Sequence, residues 1–216
     1  MVQDLVKIER SLISVFYKID LDKLVSGLFD INPEIEIISS GGTARAIKEA
    51  GYPVMEVSDY TGFPESPGGL LKTINPLVEG GFLLDPEIEE HKDYMEKNGI
   101  KPFDLVVVNL YPFEEAVSKG ANIEEAREMI DIGGPTMIRA AAKGYKRVTV
   151  VVDPSDYNLL LDEMKRNNGC TSLGTRYDLA KKVFHRTGGY DTAISDYMHK
   201  NPAPGVVSFY LRPYQG

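Results

Sequence analysis

Two stretches, DLVVVNL (104–110) and RVTVVVD (147–153), constrain this chain more than anything else in it. Both are nearly continuous β-branched runs, and a strand of that kind is stable when both of its faces are covered. Helices on the two sides of a parallel sheet supply that cover through right-handed crossovers. The rest of the chain alternates in the way such a sheet requires. SLISVF (11–16) reads as a strand, LDKLVSGLFD (21–30) as a helix, and IEIIS (35–39) as a second strand. A turn and helix, GGTARAIKEAG, end at Gly51, and PVMEVS (53–58) is a third strand. IEEAREMI and PTMIRAAAK are helical, and SDYNLLLDEMKRNNG is a capped helix. The expectation is a three-layer α/β/α core over residues 1–154 with a mainly parallel, doubly wound sheet. A helical C-terminal extension, 155–216, packs on that core as part of one structural unit. Residues 62–102 are rich in Gly and Pro with weak periodicity, which predicts an irregular site loop or lid.

Charge and composition narrow the function. The 216 residues carry a formal charge of −8, against a general nucleic-acid or membrane binder, since both need basic surfaces. With 43% hydrophobic and 26% charged residues the composition is that of an ordinary soluble domain. The single cysteine, Cys170, excludes an internal disulfide and fits a reducing, cytoplasmic setting. The start, MVQDLVKIERSLISVF, lacks the apolar core of a signal peptide, and no run approaches the ~20 apolar residues of a membrane span.

ISSGGTARAI (38–47) follows a strand and opens a helix. Ser39, Ser40, Gly41, Gly42 and Thr43 would present backbone N–H groups and hydroxyls at a helix N-terminus, an arrangement that holds a phosphate. A plain turn with Ser40 or Thr43 as N-cap fits the same residues. VVVNLYPF (106–113) places Asn109, Tyr111 and Pro112 at the carboxyl end of a buried strand, where ligands of open α/β sheets lie; a Tyr that merely covers the core end is the competing reading. GGLLKTINP (68–76) offers Lys72 and Thr73. In IDIGGPTMIRAAAKG (130–144), Gly133 and Gly134 allow close backbone approach to a ligand, Pro135 suits a first helical position, and Gly144 ends the helix. Eight helical steps from 135 to 143 put the two ends roughly 12 Å apart, so Asp131 and Lys143 do not meet as chain neighbours: either a ligand spans them, or the chain before Pro135 folds back, or the pair is completed across a dimer axis. His91, His185 and His199 have no metal-ligand spacing, and Cys170 has no adjacent basic partner.

Taken together, SGGTARAIKEAG, VSDYTGFPE, GG..KT.NP, DLVVVNLYPFEEAV, IDIGGPTMIRAAAKG and VTVVVDPSDY resemble the IMP cyclohydrolase family, in order and over nearly the whole chain. The resemblance implies a methylglyoxal synthase-like, Rossmann-like fold, a homodimer, and the final reaction of de novo purine biosynthesis. That reaction closes 5-formamidoimidazole-4-carboxamide ribotide (FAICAR) to IMP with loss of water, a cyclic-amidine hydrolase chemistry run in the ring-forming direction. The amide nitrogen is a poor nucleophile, but the attack is intramolecular, so orientation, oxyanion donors and proton transfer suffice, with no metal or organic cofactor implied. The resemblance implies Lys72, Tyr111, Asp131 and Lys143 as catalytic: the first two donating to the formyl oxygen, the last two orienting and deprotonating the carboxamide. Ser14, Lys18, Ser40, Gly41, Gly42, Thr43 and Thr73 would hold the phosphate, with Asn109, Gly133 and Gly134 also lining the substrate site. The family's second half, an AICAR transformylase, does not appear in this sequence, so the expectation is a stand-alone cyclohydrolase with a separate transformylase as a further partner.

The chain departs from the family pattern at several places. RVKTLHP is LLKTINP here, giving Leu70 and Asn75; SVSDKTG is SVFYKID, giving Phe16 beside the retained Lys18; Glu79 replaces a histidine, and so does Arg186. Losing a guanidinium removes a bidentate handle on phosphate or base. Two other functions stand beside the cyclohydrolase: a non-catalytic nucleotide-binding or regulatory module on the same scaffold, and another phosphate-substrate lyase such as a methylglyoxal synthase. Retention of the Lys72, Tyr111, Asp131 and Lys143 set argues against the first, and NLYPF with IDIGGPTMIRAAAK against the second.

Overall fold

The computed structural model describes residues 4–69, 71 and 73–211. Its elements are β1 (Leu5–Lys7), β2 (Arg10–Val15), α1 (Leu21–Ile31), β3 (Glu36–Ser39), α2 (Gly41–Glu49), β4 (Met55–Glu56) and α3 (Val57–Thr61). They continue through α4 (Pro76–Leu83), α5 (Glu89–Asn98), β5 (Leu105–Asn109), α6 (Phe113–Ser118), α7 (Ile123–Glu128), α8 (Gly133–Lys143) and β6 (Thr149–Val151). Last come α9 (Tyr157–Arg166), β7 (Cys170–Ser172), α10 (Leu173–Lys200) and α11 (Ala203–Tyr210), with 3₁₀ turns at Pro67–Gly69 and Pro154–Asp156.

Five strands form a parallel sheet in the order β4-β3-β2-β5-β6. Side chains of successive strand residues point to opposite faces, and each face has its own core. Leu12, Val106, Val108 and Val150 pack against Phe82, Met137, Ile138 and Val183 from α4, α8 and α10. Ile13, Val15, Leu105 and Val107 pack against Leu24, Leu28, Ile47, Leu160 and Met164 from α1, α2 and α9. The amphipathic spacing of α1 (Leu21, Leu24, Val25, Leu28) and α9 (Tyr157, Leu160, Leu161, Met164) is what places these helices flat on the sheet. The result is the α/β/α sandwich that the β-branched runs predict. From β2 the chain winds outward to β3 and β4, then crosses back to β5 and outward again to β6. The winding therefore reverses between β2 and β5, which leaves a crevice beyond their carboxyl ends.

Three elements differ from the sequence reading. The expected strand 53–58 shrinks to Met55–Glu56, paired with Ile38 and Ser39; at this sheet edge Val57 turns inward and starts α3 instead. The segment 62–102, expected as an irregular loop, contains α4 and α5. Asn75 caps α4 by accepting from Leu77 N–H at 2.9 Å, and Pro76 stands at the first helical position. The helical signal of α5 is faint because only Met95 is buried. A further antiparallel pair, β1 with β7, ties the chain's beginning to its C-terminal part. Arg176 of α10 strengthens that tie. Its guanidinium is fully buried and donates to the carbonyls of Tyr145 (3.0 Å), Lys146 (2.9 Å), Asp4 (3.0 Å) and Thr171 (2.6 Å). No described helix is long and apolar enough to cross a membrane.

Glu79, in the first turn of α4, has a buried Oε1 without a hydrogen-bond partner among the described residues, and burial pushes its carboxyl up to about 7. The folded pKa lies above the unfolded one, so this group costs nothing below the unfolded pKa and progressively destabilises the fold as pH rises towards 7. Allowing for its partial exposure, the cost at pH 8 is about 1–2 kcal/mol. Glu79→Gln is therefore expected to melt with the parent at pH 4.5 but roughly 3–6 °C above it at pH 8. Parallel melting curves for the two proteins across that range would dismiss the effect.

Candidate active site

A cavity of about 380 Å³ opens at the crevice beyond β2 and β5. One wall is the turn from β3 into α2. Gly41 takes a left-handed backbone (φ 54) at the first position of α2, which a residue with a Cβ adopts only under strain. The turn it permits sets Ser40, Gly42 and Thr43 along the wall at a helix N-terminus, where the free N–H groups and the helix dipole favour an anion. Ser40 makes no side-chain cap; its Oγ is buried, has no hydrogen-bond partner among the described residues, and belongs to a residue of the cavity lining. Thr43 is committed to structure. Its hydroxyl donates to Val15 O (3.0 Å) and accepts from Val15 N–H (3.1 Å), which locks α2 to the end of β2. Ser14 and Lys18 complete this wall. The Lys18 ammonium donates to the carbonyls of Val15 and Phe16, close to where an anion would sit.

The opposite wall is built by the chain entering α8. Asp131 Oδ1 accepts from Gly134 N–H at 2.8 Å and so caps the helix from two residues before its first turn. Gly134 must be glycine for this: a Cβ there would lie 2.3 Å from Asp131 Oδ2. The backbone before it is held from α10 by Tyr190, whose hydroxyl donates to Met129 O (3.0 Å) and accepts from Asp131 N–H (2.8 Å). Burial raises the Tyr190 phenol to about 12, so it stays a neutral donor and acceptor. Tyr111, just past β5, brings a phenol to the same cavity. Its pKa is raised first by burial and then by the negative charge of Asp131. A hydrogen-bond donor and a carboxylate thus share one wall, with the anion cradle on the other.

Of the ten residues expected to bind substrate, Ser14, Lys18, Ser40, Gly42, Thr43, Thr73, Asn109, Gly133 and Gly134 line the cavity; Gly41 shapes the turn without lining it. Asn109 reaches the cavity, but its amide is taken up by backbone: Oδ1 accepts from the Phe16 and Tyr17 N–H groups and Nδ2 donates to Tyr17 O. The close approach at Gly133 is by the chain itself, since a Cβ there would meet Thr73 Oγ1 at 2.7 Å. Pro135 is the third residue of α8, still inside the first turn where its missing N–H costs nothing. Among the expected catalytic residues, Tyr111 and Asp131 are together, and Lys72 lies outside the described residues, as does Leu70. Lys143 is exposed at the last position of α8 and does not line the cavity. The ten steps of that helix carry it about 15 Å from the capped end, so one subunit does not bring Asp131 and Lys143 to a shared pocket.

The sequence reading missed Glu128 and Gly69 on the cavity wall, and treated Phe16 only as a departure from pattern. Glu128 carries no local signal, because it ends α7 as one of several glutamates; only the fold brings this exposed side chain to the cavity rim. A larger cleft of about 770 Å³ lies between the β6 end, α9 and α10. It is less promising for chemistry: both of its lysines are held in ion pairs with carboxylates of the same lining, Lys182 with Asp156 (2.5 Å) and Lys181 with Asp178 (2.6 Å). Among the described residues no group of three His, Cys, Asp or Glu side chains is placed to hold a metal.

The parallel α/β sheet thus carries at its switch point a helix N-terminus suited to an anion, facing a phenol and a carboxylate across one cavity. Comparison with known proteins makes the class specific. Residues 20–136 match the MGS-like domain and residues 141–212 the AICARFT/IMPCHase bienzyme family, the two matches meeting inside α8. The chain belongs to the MGS-like domain family and is homologous to the amino-terminal region of the bifunctional purine biosynthesis protein PurH. It is 49% identical over 209 residues to PurH of Cereibacter sphaeroides, covering 95% of this chain and 39% of that protein. The PurH of Magnetococcus marinus is 48% identical over 193 residues, covering 89% of this chain and 36% of the relative. The chain thus spans less than two fifths of the length of these relatives. Among solved structures, ForH matches with a TM-score of 0.75 and 31% identity, over 87% of this chain and 97% of that one.

Proposed function

We propose that this chain is an IMP cyclohydrolase that closes FAICAR to IMP with release of water. The observation that carries the reading is the meeting of Tyr111 and Asp131 on one wall of a cavity whose other wall is an anion cradle. FAICAR has the matching layout, with a ribose phosphate at one end and the formyl and carboxamide groups at the other. The phosphate lies against the α2 N-terminus, Lys18 and the unpartnered Ser40 hydroxyl. Asp131 accepts a proton from the carboxamide as its nitrogen bonds to the formyl carbon. Tyr111, kept protonated by burial and by Asp131, donates a hydrogen bond to the formyl oxygen as it becomes an oxyanion; that oxygen takes up the proton collected by Asp131 and the proton of the formamido nitrogen, and leaves as water as the ring C=N bond forms. Lys72 assists at that oxygen, and the reaction needs no cofactor. Lys143 has no part in a mechanism confined to one subunit. The protein acts in the cytoplasm as a homodimer. Adding FAICAR and following the ultraviolet change of purine formation tests the assignment. Turnover to IMP is expected; FAICAR bound without turnover would identify a nucleotide-binding module instead.

A further inference from the structure

The aromatic corner of the cavity deepens the cyclohydrolase reading, and the role inferred for it rests on that reading. No hydrogen bond to a described residue fixes the Tyr111 hydroxyl, so ring packing alone must orient the phenol. The packing partner is Phe16. Its ring centroid lies 5.3 Å from that of Tyr111 at an interplanar angle of 57°, and it lines the cavity itself. On its other side Phe16 meets Tyr17 edge-on, at 5.1 Å and 85°. The Tyr17 hydroxyl is in turn bonded to Glu115, so the backing ring is anchored as well. The backbone beneath is fastened too. Asn109, two residues before Tyr111 and at the end of β5, grips the main chain of Phe16 and Tyr17 through its amide, with Tyr17 N–H at 3.1 Å and Tyr17 O at 3.0 Å. One side chain therefore fixes the loop that carries Phe16 relative to the strand that delivers Tyr111.

We propose that Phe16 is a positioning residue for ring closure, whose ring sets the orientation of the Tyr111 phenol over the cavity. The pattern this chain resembles has a serine at that place, which has no ring to press against Tyr111. Phe16 is 43% exposed and carries no core packing, so its replacement leaves the fold standing. Misdirecting a donor by a fraction of an ångström costs rate more than binding.

The experiment combines kinetics of Phe16→Ala, Phe16→Leu and Phe16→Tyr on FAICAR with titration of the Tyr111 phenol. The phenol is followed by NMR of ring-labelled tyrosine and assigned by the signal lost in Tyr111→Phe. In Phe16→Ala, kcat should fall about 10- to 30-fold with KM within about threefold, and the Tyr111 titration should move down towards that of a free phenol as water gains access. Phe16→Tyr should restore both, and Phe16→Leu should restore neither fully. A Phe16→Ala enzyme with kcat within twofold of the parent, or an unmoved Tyr111 titration, would overturn the proposal. If the parent itself does not turn over FAICAR, the cyclohydrolase reading fails, while the Tyr111 titration still decides whether Phe16 governs the phenol.

Discussion

Asp131→Asn is expected to lower kcat for FAICAR ring closure by about 10²- to 10³-fold, the range lost with a positioned general base. The substitution separates two duties that this side chain combines. As a cap it accepts from Gly134 N–H through Oδ1, and an asparagine carbonyl oxygen can do the same. As a base it must hold a negative charge and accept a proton, which an amide cannot. Asp131→Asn should thus keep the parent's thermal stability while losing the rate. Asp131→Ala removes the cap as well and should cost about a further 1 kcal/mol of stability. Geometry supports a fixed carboxylate: Gly134 leaves it room, with only 2.3 Å between Oδ2 and a would-be Cβ, and Tyr190 holds the backbone beneath it. A second readout accompanies the first. Because the Asp131 charge helps to hold the Tyr111 pKa up, the phenol should titrate lower in Asp131→Asn. An Asn variant that turns over within threefold of the parent would remove Asp131 from proton transfer.

The sheet could be read from the chain because β5 and β6 are made of residues that only a doubly covered strand tolerates, and Leu105 through Val108 are all buried. Helix faces with four apolar residues in register, as in α1 and α9, were equally plain. What could not be read is where a polar group's bonds end up. Ser40 and Thr43 look alike as hydroxyls at a helix start, yet one is unpartnered in the cavity wall and the other is bound to Val15. Asn109 looks like a ligand contact and spends its amide on the main chain of Tyr17. These outcomes depend on contacts between residues about 28 or 92 apart, beyond any local pattern. The separation of Asp131 from Lys143, by contrast, follows from helical rise alone and was legible as soon as 135–143 was read as one helix. Strands of three residues, such as β1 and β7, are too short to show a period, and they form because each supplies the other's ladder.

Replacing Arg176 by Met is expected to destabilise the fold by about 3–5 kcal/mol, in the range for breaking a buried charged network. The guanidinium joins three regions that the chain order keeps apart: the turn after α8 through Tyr145 and Lys146, β7 through Thr171, and the segment before β1 through Asp4. Burial lowers its pKa, with Asp4 and Glu163 opposing that fall, yet an arginine remains charged under any physiological condition. Met fills similar space without leaving a charge, but the carbonyls lose their donors in a site closed to water. For a chain of this size the loss corresponds to a fall in Tm of roughly 6–20 °C. Lys should not rescue it, because a compact ammonium has no planar fork to span carbonyls on separate segments. The consequence reaches the cavity, since α10 holds α8 at both ends: Arg176 fastens the turn that follows it, and Tyr190 fixes the backbone that leads to Asp131. A loosened α10 should therefore raise KM for FAICAR before the protein unfolds, and the rise should grow with temperature towards the lowered Tm. If Arg176→Met melts within 1 kcal/mol of the parent, α10 is not the clamp that sets the α8 end of the site.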